Sequence, residues 1–313
     1  MDELILQWDP ESSRHSVFHV NNEAGDAALA GDDAMALKRD QYLLQSADEI
    51  AFFLEPGAVN ATSGGFASGV SKNRMLNKVG HGLHVRDHAF KSYSESEAVA
   101  RLVRALGYVS PRLTQSMYIF KQPLIGEEVT SHQDSTFLYT APRQTCLGLL
   151  LFLEDASLEN GCLWARPGSH EEPVRLRWKR DPEWFRRLAA NESVAGLSAM
   201  KMRTAVPASE SSSPAAAALA AAGDDPVGAL KAAGYVPLPV TAGDLVLVHG
   251  AVDHLSLPNH SPRSRHTFQL HLVEQADDSV WSPSNWAQYE PLPKLNAKVF
   301  PGGSAAQDSK SEL

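Results

Sequence analysis

Cysteine is scarce in this sequence of 313 residues, which contains only Cys146 and Cys162. Two cysteines exclude the disulfide framework of a small secreted domain, so a reducing compartment is expected. Both thiols are predicted to be small buried side chains. No apolar stretch approaches the roughly 20 residues needed to span a bilayer. The first residues also lack the basic start and apolar run of a signal peptide, and we therefore expect a cytoplasmic protein without a membrane partner.

Positive charge is also in deficit, because 28 Lys and Arg stand against 37 Asp and Glu, giving a formal net charge of −9. Such a chain has no general attraction to nucleic acid or to anionic membranes, so the expected partner is a small molecule. One basic run is a local exception. It is either a solvated face or a rim that attracts an anionic substrate to an active-site mouth, and its members are Arg175, Arg177, Lys179, Arg180, Arg186 and Arg187.

Changes in composition divide the chain into three parts. Residues 1–38 are acidic with little periodicity and predict a variable, loose lead-in. Residues 39–290 carry the regular patterning of the principal domain, interrupted by a Ser-, Ala-, Gly- and Pro-rich insert around 207–228 that we expect to be mobile and partly helical at most. Residues 291–313 are interpreted as a frayed tail, whose Lys-Ser-Glu-Leu end does not match a peroxisomal Ser-Lys-Leu signal.

Many short apolar runs bounded by Gly and Pro turns predict a mainly β fold with flanking helices, either a sandwich or a jelly roll. Thr145–Leu153 is almost continuously apolar and predicts a buried strand, whereas Ser94–Leu106 has the spacing of an amphipathic helix. Residues 265–272 alternate, as a half-polar strand does. Phe268, Leu270 and Leu272 occupy one face of it, and Arg265, Thr267, Gln269 and His271 occupy the other.

A His-x-Asp pair lies in a stretch of strand-favouring residues, Ser131–Tyr139. Because side chains at i and i+2 of a strand share a face, His132 and Asp134 should aim at one point. An imidazole and a carboxylate are two members of the facial triad that holds Fe(II) and leaves coordination positions open. His254, 120 residues after Asp134, is the candidate third ligand. Arg265 begins the next strand and would return beside His254, where a guanidinium can bind a carboxylate with two hydrogen bonds.

These motifs together resemble the phytanoyl-CoA dioxygenase family of Fe(II)- and 2-oxoglutarate-dependent oxygenases, over roughly residues 40–290. Several ordered motifs at matching spacing are more specific than any one of them. They are His132-Gln133-Asp134, Asn160-Gly161-Cys162-Leu163 with Pro167-Gly168-Ser169-His170, His254 with Arg265, Asn77 to His81, Gln115 to Pro123, and Trp281 to Trp286.

The resemblance implies a double-stranded β-helix, which is a cupin-like jelly roll, with His132, Asp134 and His254 as the iron ligands. It also implies that Arg265 binds the C5 carboxylate of 2-oxoglutarate. The implied lining of the cosubstrate pocket consists of Lys78, Met117 and Ser256. At position 150 the family commonly has a Trp against the cosubstrate, where this chain has Leu150.

The predicted function is hydroxylation of a small organic substrate, such as a fatty acyl-CoA, with conversion of 2-oxoglutarate and O2 to succinate and CO2. Ascorbate is expected to support the reaction in vitro. The alternative is a catalytically silent protein of the same fold that binds metal or 2-oxoglutarate. The oligomeric state stays open, with a monomer slightly favoured.

Each candidate residue also has a purely structural interpretation. Lys78 and Ser256 could support the fold, and Met117 is more often core packing than a ligand contact. His249 is interpreted as a satisfied strand histidine and not as a ligand. His81 and His84 lie on a polar segment that we place near the pocket mouth, where they either contact substrate or serve the fold.

Overall fold

Short antiparallel strands dominate the computed structural model, which describes residues 1–17, 32–60, 65–276, 278–289, 291–296 and 298–300. In chain order the strands are β1 Ile50–Leu54, β2 Leu76–His81, β3 Pro111–Ile119, β4 Val129–His132, β5 Thr140–Ala141, β6 Leu147–Phe152, β7 Leu163–Ala165, β8 Leu176–Arg180, β9 Met200–Thr204, β10 Val236–Leu238, β11 Leu245–His249, β12 His254–Ser256, β13 Thr267–Glu274 and β14 Val280–Trp281. The helices are α1 Asp2–Gln7, α2 Asp33–Gln45, α3 Leu83–Arg86, α4 His88–Ser94, α5 Glu97–Ala105, α6 Pro182–Ala189, α7 Pro214–Ala220 and α8 Pro226–Ala232.

Two antiparallel sheets form the body of the fold. The larger sheet has the strand order β1-β2-β3-β13-β6-β11, and the smaller has the order β10-β7-β12-β4. Leu150, Phe152 and Val248 of the larger sheet pack with Leu163 of the smaller sheet in one apolar cluster. The pairing of non-consecutive strands in two packed sheets confirms the predicted jelly roll. Two further two-stranded sheets pair β8 with β9 and β5 with β14.

Strand β13 shows how the larger sheet separates an apolar face from a polar one. Phe268, Leu270 and Leu272 pack in the largest core cluster together with Val99 and Val103 of helix α5. The side chains between them point to the opposite face, as strand geometry requires. The predicted alternation is therefore confirmed, and the amphipathic helix expected over Ser94–Leu106 is present as Glu97–Ala105.

The N-terminal residues pack more closely than the loose lead-in that was expected. Trp8 is buried and stacks on Phe52, with 5.1 Å between ring centroids, while its indole N–H donates to Ser13. Truncation of a buried Trp to Ala lowers the stability of a fold by about 3–5 kcal/mol, so this packing contributes substantially to the fold. This correction concerns residues 1–17, because residues 18–31 of the predicted lead-in lie outside the described residues.

The other end of the chain also packs on the domain. Leu292 and Leu295 are buried, and the Pro293 carbonyl accepts a 2.9 Å hydrogen bond from the amide of Leu113. Buried apolar side chains therefore continue beyond residue 290, while the domain boundary itself stays a prediction. The remainder of the predicted tail, 301–313, lies outside the described residues.

The Ala-rich insert around 207–228 contains helix α7 and the beginning of helix α8. Each begins with a proline behind a capping side chain, Ser213 for α7 and Asp225 for α8. This is a recognised start signal for helices. Ala215 and Leu230 are buried in a cluster with other apolar side chains of the smaller sheet. The insert is thus partly helical, within what was expected, whereas its mobility stays a prediction. Among the described residues, the helices are all too short or too polar to cross a bilayer.

Candidate functional site

The three predicted metal ligands converge at one point on the smaller sheet. Strands β4 and β12 pair so that His132 lies directly opposite His254. The Nε2 atoms of these residues lie 3.5 and 3.7 Å from Oδ1 of Asp134. One ligand atom from each of the three residues falls within 4.8 Å of the others, a spacing that a single metal ion can bridge.

Both imidazoles are oriented so that a lone pair faces this point. The Nδ1 of His132 lies 2.8 Å from the carbonyl of Thr130, and the Nδ1 of His254 lies 2.9 Å from the carbonyl of Val252. A carbonyl oxygen only accepts hydrogen bonds, so in each neutral ring the proton is on Nδ1 and Nε2 is unprotonated. Held in this way by the backbone, the two rings present the donor atoms that Fe(II) needs.

Asp134 reaches the site from a turn and not from the strand that the sequence predicted. Strand β4 ends at His132, and Asp134 begins a 3-10 turn in which its carbonyl accepts from the amides of Phe137 and Leu138. The extended interpretation of residues 131–139 is therefore wrong beyond His132, because these local turn bonds replace the strand ladder. The two side chains nevertheless face the same point.

Gln133 fixes this turn from behind. Its amide nitrogen donates to the carbonyls of Ala251 at 3.0 Å and Pro173 at 3.3 Å, and its amide oxygen accepts from the backbone of Arg175 at 2.9 Å. One buried side chain thereby joins the turn to two other segments, residues 173–175 and Ala251. Sequence reasoning missed this role, since none of the three partners is a neighbour in the chain.

His271 of strand β13 holds the other oxygen of Asp134. The amide of Gln115 donates towards Nδ1 of His271 across 3.4 Å, so the proton of that ring is on Nε2, which donates to Oδ2 of Asp134 at 3.2 Å. Although burial opposes ionisation, the nearby His254 and His271 and the bonds to the carboxylate hold the pKa of Asp134 well below its usual range. Because His271 binds Oδ2, the other carboxylate oxygen, Oδ1, faces the Nε2 atoms of His132 and His254.

Arg265 lies two residues before strand β13, which begins at Thr267 and not at Arg265 as the sequence predicted. It is 1% exposed, and its Nη1 donates to the carbonyl of Gly161 at 2.9 Å. Burial lowers the pKa of its guanidinium to about 10. Its Nε and the hydroxyl of Thr267 are buried without a hydrogen-bond partner among the described residues. Leaving such groups unsatisfied costs about 1–3 kcal/mol each, so the pair fits a ligand that brings acceptor oxygens.

The other predicted pocket residues come from both sheets. The Nζ of Lys78 lies 3.9 Å from the sulfur of Met117, and burial lowers the pKa of Lys78 to about 7. Register places Lys78 and Thr267 in one cross-strand row, with Ile119 between them. Ser256 comes from the opposite sheet, two residues after His254.

An aromatic side chain lies beside Arg265 although position 150 is a leucine. Phe152 lies two residues further along β6 on the same face, and its ring centroid is 5.7 Å from the guanidinium carbon of Arg265. Leu150 itself pairs with Gln269 in the adjacent row and packs against the apolar cluster. Phe152 thus supplies aromatic surface from the neighbouring row of the sheet.

His81 and His84 are buried and do not lie at an exposed mouth. The hydroxyl of Ser46 donates to the Leu43 carbonyl at 2.6 Å and therefore accepts from Nδ1 of His81 at 2.8 Å, which leaves Nε2 of His81 as an acceptor. His84 Nδ1 lies 2.9 Å from the hydroxyl of Ser116. Substrate contact by either residue stays a prediction.

The remaining histidine and the basic run serve the fold in what the structure describes. His249 accepts from the Ala251 amide at 3.2 Å and lies outside the metal triad. Arg175 is buried against Asp253 at 3.0 Å, and the Arg177 guanidinium stacks 3.3 Å from the Tyr139 ring centroid. These contacts favour a structural use of the first part of the run over a substrate-attracting rim.

Comparison with known proteins gives a consistent result. The family model described as phytanoyl-CoA dioxygenase (PhyH) matches residues 22–267. Phytanoyl-CoA dioxygenase domain-containing protein 1 of Mus musculus is 43% identical over 257 residues, covering 82% of this chain and 75% of that protein. The Bos taurus protein of the same name is 38% identical over 295 residues, covering 94% and 86%. Phytanoyl-CoA dioxygenase of Arabidopsis thaliana is 35% identical over 294 residues, covering 94% and 84%.

Among solved structures, EctD from S. alaskensis with bound Fe is 17% identical, with a TM-score of 0.47 over 86% of this chain and 78% of that one. The matches in sequence cover most of the chain, and the range matched by the family model spans the positions of His132, Asp134, His254 and Arg265. The chain belongs to the phytanoyl-CoA dioxygenase family, a family of Fe(II)- and 2-oxoglutarate-dependent oxygenases.

Proposed function

We propose that this protein hydroxylates a C–H bond of a small organic substrate and converts 2-oxoglutarate and O2 to succinate and CO2. The observation that carries the proposal is the buried guanidinium of Arg265, whose Nε has no hydrogen-bond partner among the described residues, next to strand β13, whose His271 holds Asp134. Two Nε2 lone pairs and one carboxylate oxygen share a point, which fits an Fe(II) ion with open coordination positions. A buried guanidinium without a carboxylate partner among the described residues fits a cosubstrate with a distal carboxylate.

The residues have separate tasks in this proposal. His132, Asp134 and His254 would hold the metal, and Arg265 would bind the C5 carboxylate of 2-oxoglutarate. Bound Fe(II) supplies the activation of O2 that couples decarboxylation of the cosubstrate to oxidation of the substrate. Lys78, Met117 and Ser256 would line the cosubstrate pocket, where the buried ammonium and hydroxyl add donors for its oxygens.

Fatty acyl-CoA thioesters are the first substrate class to test. Support comes from the names of the relatives, which refer to phytanoyl-CoA, and not from a CoA-phosphate site among the described residues. Because one fold hosts many substrates, the substrate class has to be measured directly. A panel of acyl-CoA thioesters and free carboxylic acids, assayed by substrate-stimulated succinate formation, addresses it.

The activity itself is tested by succinate formation from 2-oxoglutarate in purified protein with Fe(II) and ascorbate. His132→Ala and Asp134→Ala are expected to abolish metal binding and succinate. Arg265→Ala should weaken 2-oxoglutarate binding while metal stays bound, because its guanidinium lies outside the triad. Arg263→Ala is the matched control, since Arg263 is an exposed arginine two residues earlier.

Two results would contradict parts of the proposal. The absence of succinate from protein with verified iron loading, with and without the substrate panel, would reject the oxygenase in favour of a silent binding protein. Unchanged 2-oxoglutarate affinity in Arg265→Ala would remove the role of this arginine alone.

A further inference from the structure

Lys121 lies buried behind the proposed cosubstrate pocket and contacts two of its parts. It follows strand β3 and is 2% exposed. Its Nζ donates to the hydroxyl of Ser256 at 3.1 Å and to the carbonyl of Glu127. Its own backbone carbonyl accepts from the amide of Arg265 at 3.3 Å and from the side chain of Asn259 at 3.0 Å. One residue therefore links the positions of Ser256 and Arg265.

The bond from Lys121 determines which way the Ser256 hydroxyl can act. A lysine ammonium only donates, whereas a hydroxyl has one proton and two acceptor lone pairs. Because Ser256 accepts from Lys121, its proton is free to donate elsewhere, and none of the described residues accepts it. Ser256 is itself buried, so its proton fits an acceptor oxygen in the pocket and not a donor group.

Packing leaves Lys121 little room to move. Gly161 has a φ of +79°, and a Cβ built on it would lie 2.7 Å from Cε of Lys121 and 2.7 Å from the carbonyl of Leu257. The carbonyl of the same glycine accepts from Nη1 of Arg265. The aliphatic part of Lys121 is thus enclosed by the loop that orients the guanidinium.

The electrostatic setting also connects Lys121 to an anion. Burial, followed by the neighbouring charge of Arg265, lowers the pKa of Lys121 to about 7, while Glu55 opposes this shift. A carboxylate that enters beside Arg265 would favour the protonated form of Lys121, since opposite charges stabilise each other in a buried site. The donating state of the lysine and the bound anion therefore support each other.

We propose that Lys121 is a positioning residue for 2-oxoglutarate, which holds the Ser256 hydroxyl as a donor to a carboxylate oxygen of the cosubstrate. It acts through Ser256 and does not itself touch the cosubstrate. This inference rests on the proposed function and adds a residue to it. The inference predicts that removing Lys121 and removing the Ser256 hydroxyl both abolish the same hydrogen bond to 2-oxoglutarate, so each removal should weaken its binding to a similar extent.

The test is calorimetric titration of full-length, Mn(II)-loaded protein with 2-oxoglutarate in a double-mutant cycle. Lys121→Met and Ser256→Ala are each expected to weaken binding about 10-fold, because a hydrogen bond to a charged group is lost. The double variant should be about 10-fold weaker as well, and not 100-fold. Lys72→Met is the matched control, since Lys72 donates at 3.0 Å to the Leu6 carbonyl on the surface and should leave binding unchanged.

A second variant covers the case in which Lys121→Met does not fold. Lys121→Gln keeps a polar side chain but is one atom too short to reach Ser256, and the same 10-fold loss is expected. Affinity within twofold of wild type in a folded Lys121 variant would overturn the inference, as would additive losses in the double variant. Wild-type protein that binds Mn(II) but not 2-oxoglutarate would overturn the proposed function together with the inference.

Discussion

Replacement of His271 by Leu is expected to weaken metal binding although His271 is not a ligand. In the native chain its Nε2 donates to Oδ2 of Asp134 at 3.2 Å, and Oδ1 is left to face the two ligand imidazoles. Leucine fills similar space without a donor. The carboxylate would then be free to rotate or to turn its other oxygen towards the site, so its orientation before metal binding is lost.

The size of the effect follows from the bond that is removed. A hydrogen bond to a buried charged group contributes about 1.5–3 kcal/mol. At about 1.4 kcal/mol for each factor of ten, this corresponds to roughly 10- to 100-fold in metal affinity. Loss of groups that orient metal ligands has effects of the same size, about 10- to 100-fold. His271→Gln retains an N–H donor and should recover most of the lost affinity.

The assay is a titration of apoprotein with Mn(II) or Fe(II) under anaerobic conditions, after circular dichroism has shown that each variant is folded. His249→Leu is the control, because His249 is a partly buried histidine outside the triad. Equal metal affinity in wild type and His271→Leu would refute the reasoning. A loss of similar size in His249→Leu would show a general destabilisation instead.

Two further predictions concern the buried cations and the glycine beside Arg265. Lys78→Met should raise the free energy of unfolding, because burial lowers the pKa of Lys78 to about 7 in the folded protein. Between pH 7 and about 10.5 the unfolded chain therefore binds more protons than the folded chain. Urea titrations should show a gain in the free energy of unfolding on the order of 3–5 kcal/mol at pH 6.5 and a smaller gain at pH 9.5. A gain independent of pH would contradict this cause. Gly161→Ala should lower the free energy of unfolding by about 2 kcal/mol or more and weaken 2-oxoglutarate binding, because the added Cβ would lie 2.7 Å from the Leu257 carbonyl oxygen. Gly168→Ala is the control, because Gly168 has a φ of +80° and open space around it, and its free energy of unfolding should fall by only about 1 kcal/mol. Equal losses of stability in the two variants would show that the contact with Leu257 is not the cause.

The candidate metal site could be predicted because its geometry is local or follows from strand pairing. His132 and Asp134 are two residues apart, and the interpretation survived the early end of strand β4 because the turn still aims Asp134 at the same point. His254 lies opposite His132 through the pairing of β12 with β4, as expected of two polar strand positions in a jelly roll. Arg265 then lies two residues before the next strand of the chain, β13.

The contacts that orient these residues could not be predicted from the sequence. His271 meets Asp134 across 137 positions, and Lys121 meets Ser256 across 135. No periodicity carries such a pairing, because it depends on which strands become neighbours and in which register. The role of Gln133 could not be predicted for the same reason, since its three backbone partners are distant in the sequence. Helix α7 differs, because Ser213 before Pro214 was a readable start signal within a composition typical of loops.

The charges around the pocket give the strongest reason to expect a dianion there. Burial lowers the pKa values of Lys78, Lys121 and Arg265, so each would be more stable as a cation in water. Among the described residues, Glu55 is the buried acid whose charge reaches Lys121, and burial raises its own pKa to about 7. The distal carboxylate of bound 2-oxoglutarate would stabilise the cationic forms of Arg265 and Lys121, whereas a simple 2-oxo acid brings no second carboxylate to them. We therefore expect the protein to bind 2-oxoglutarate more tightly than a 2-oxo acid with a single carboxylate.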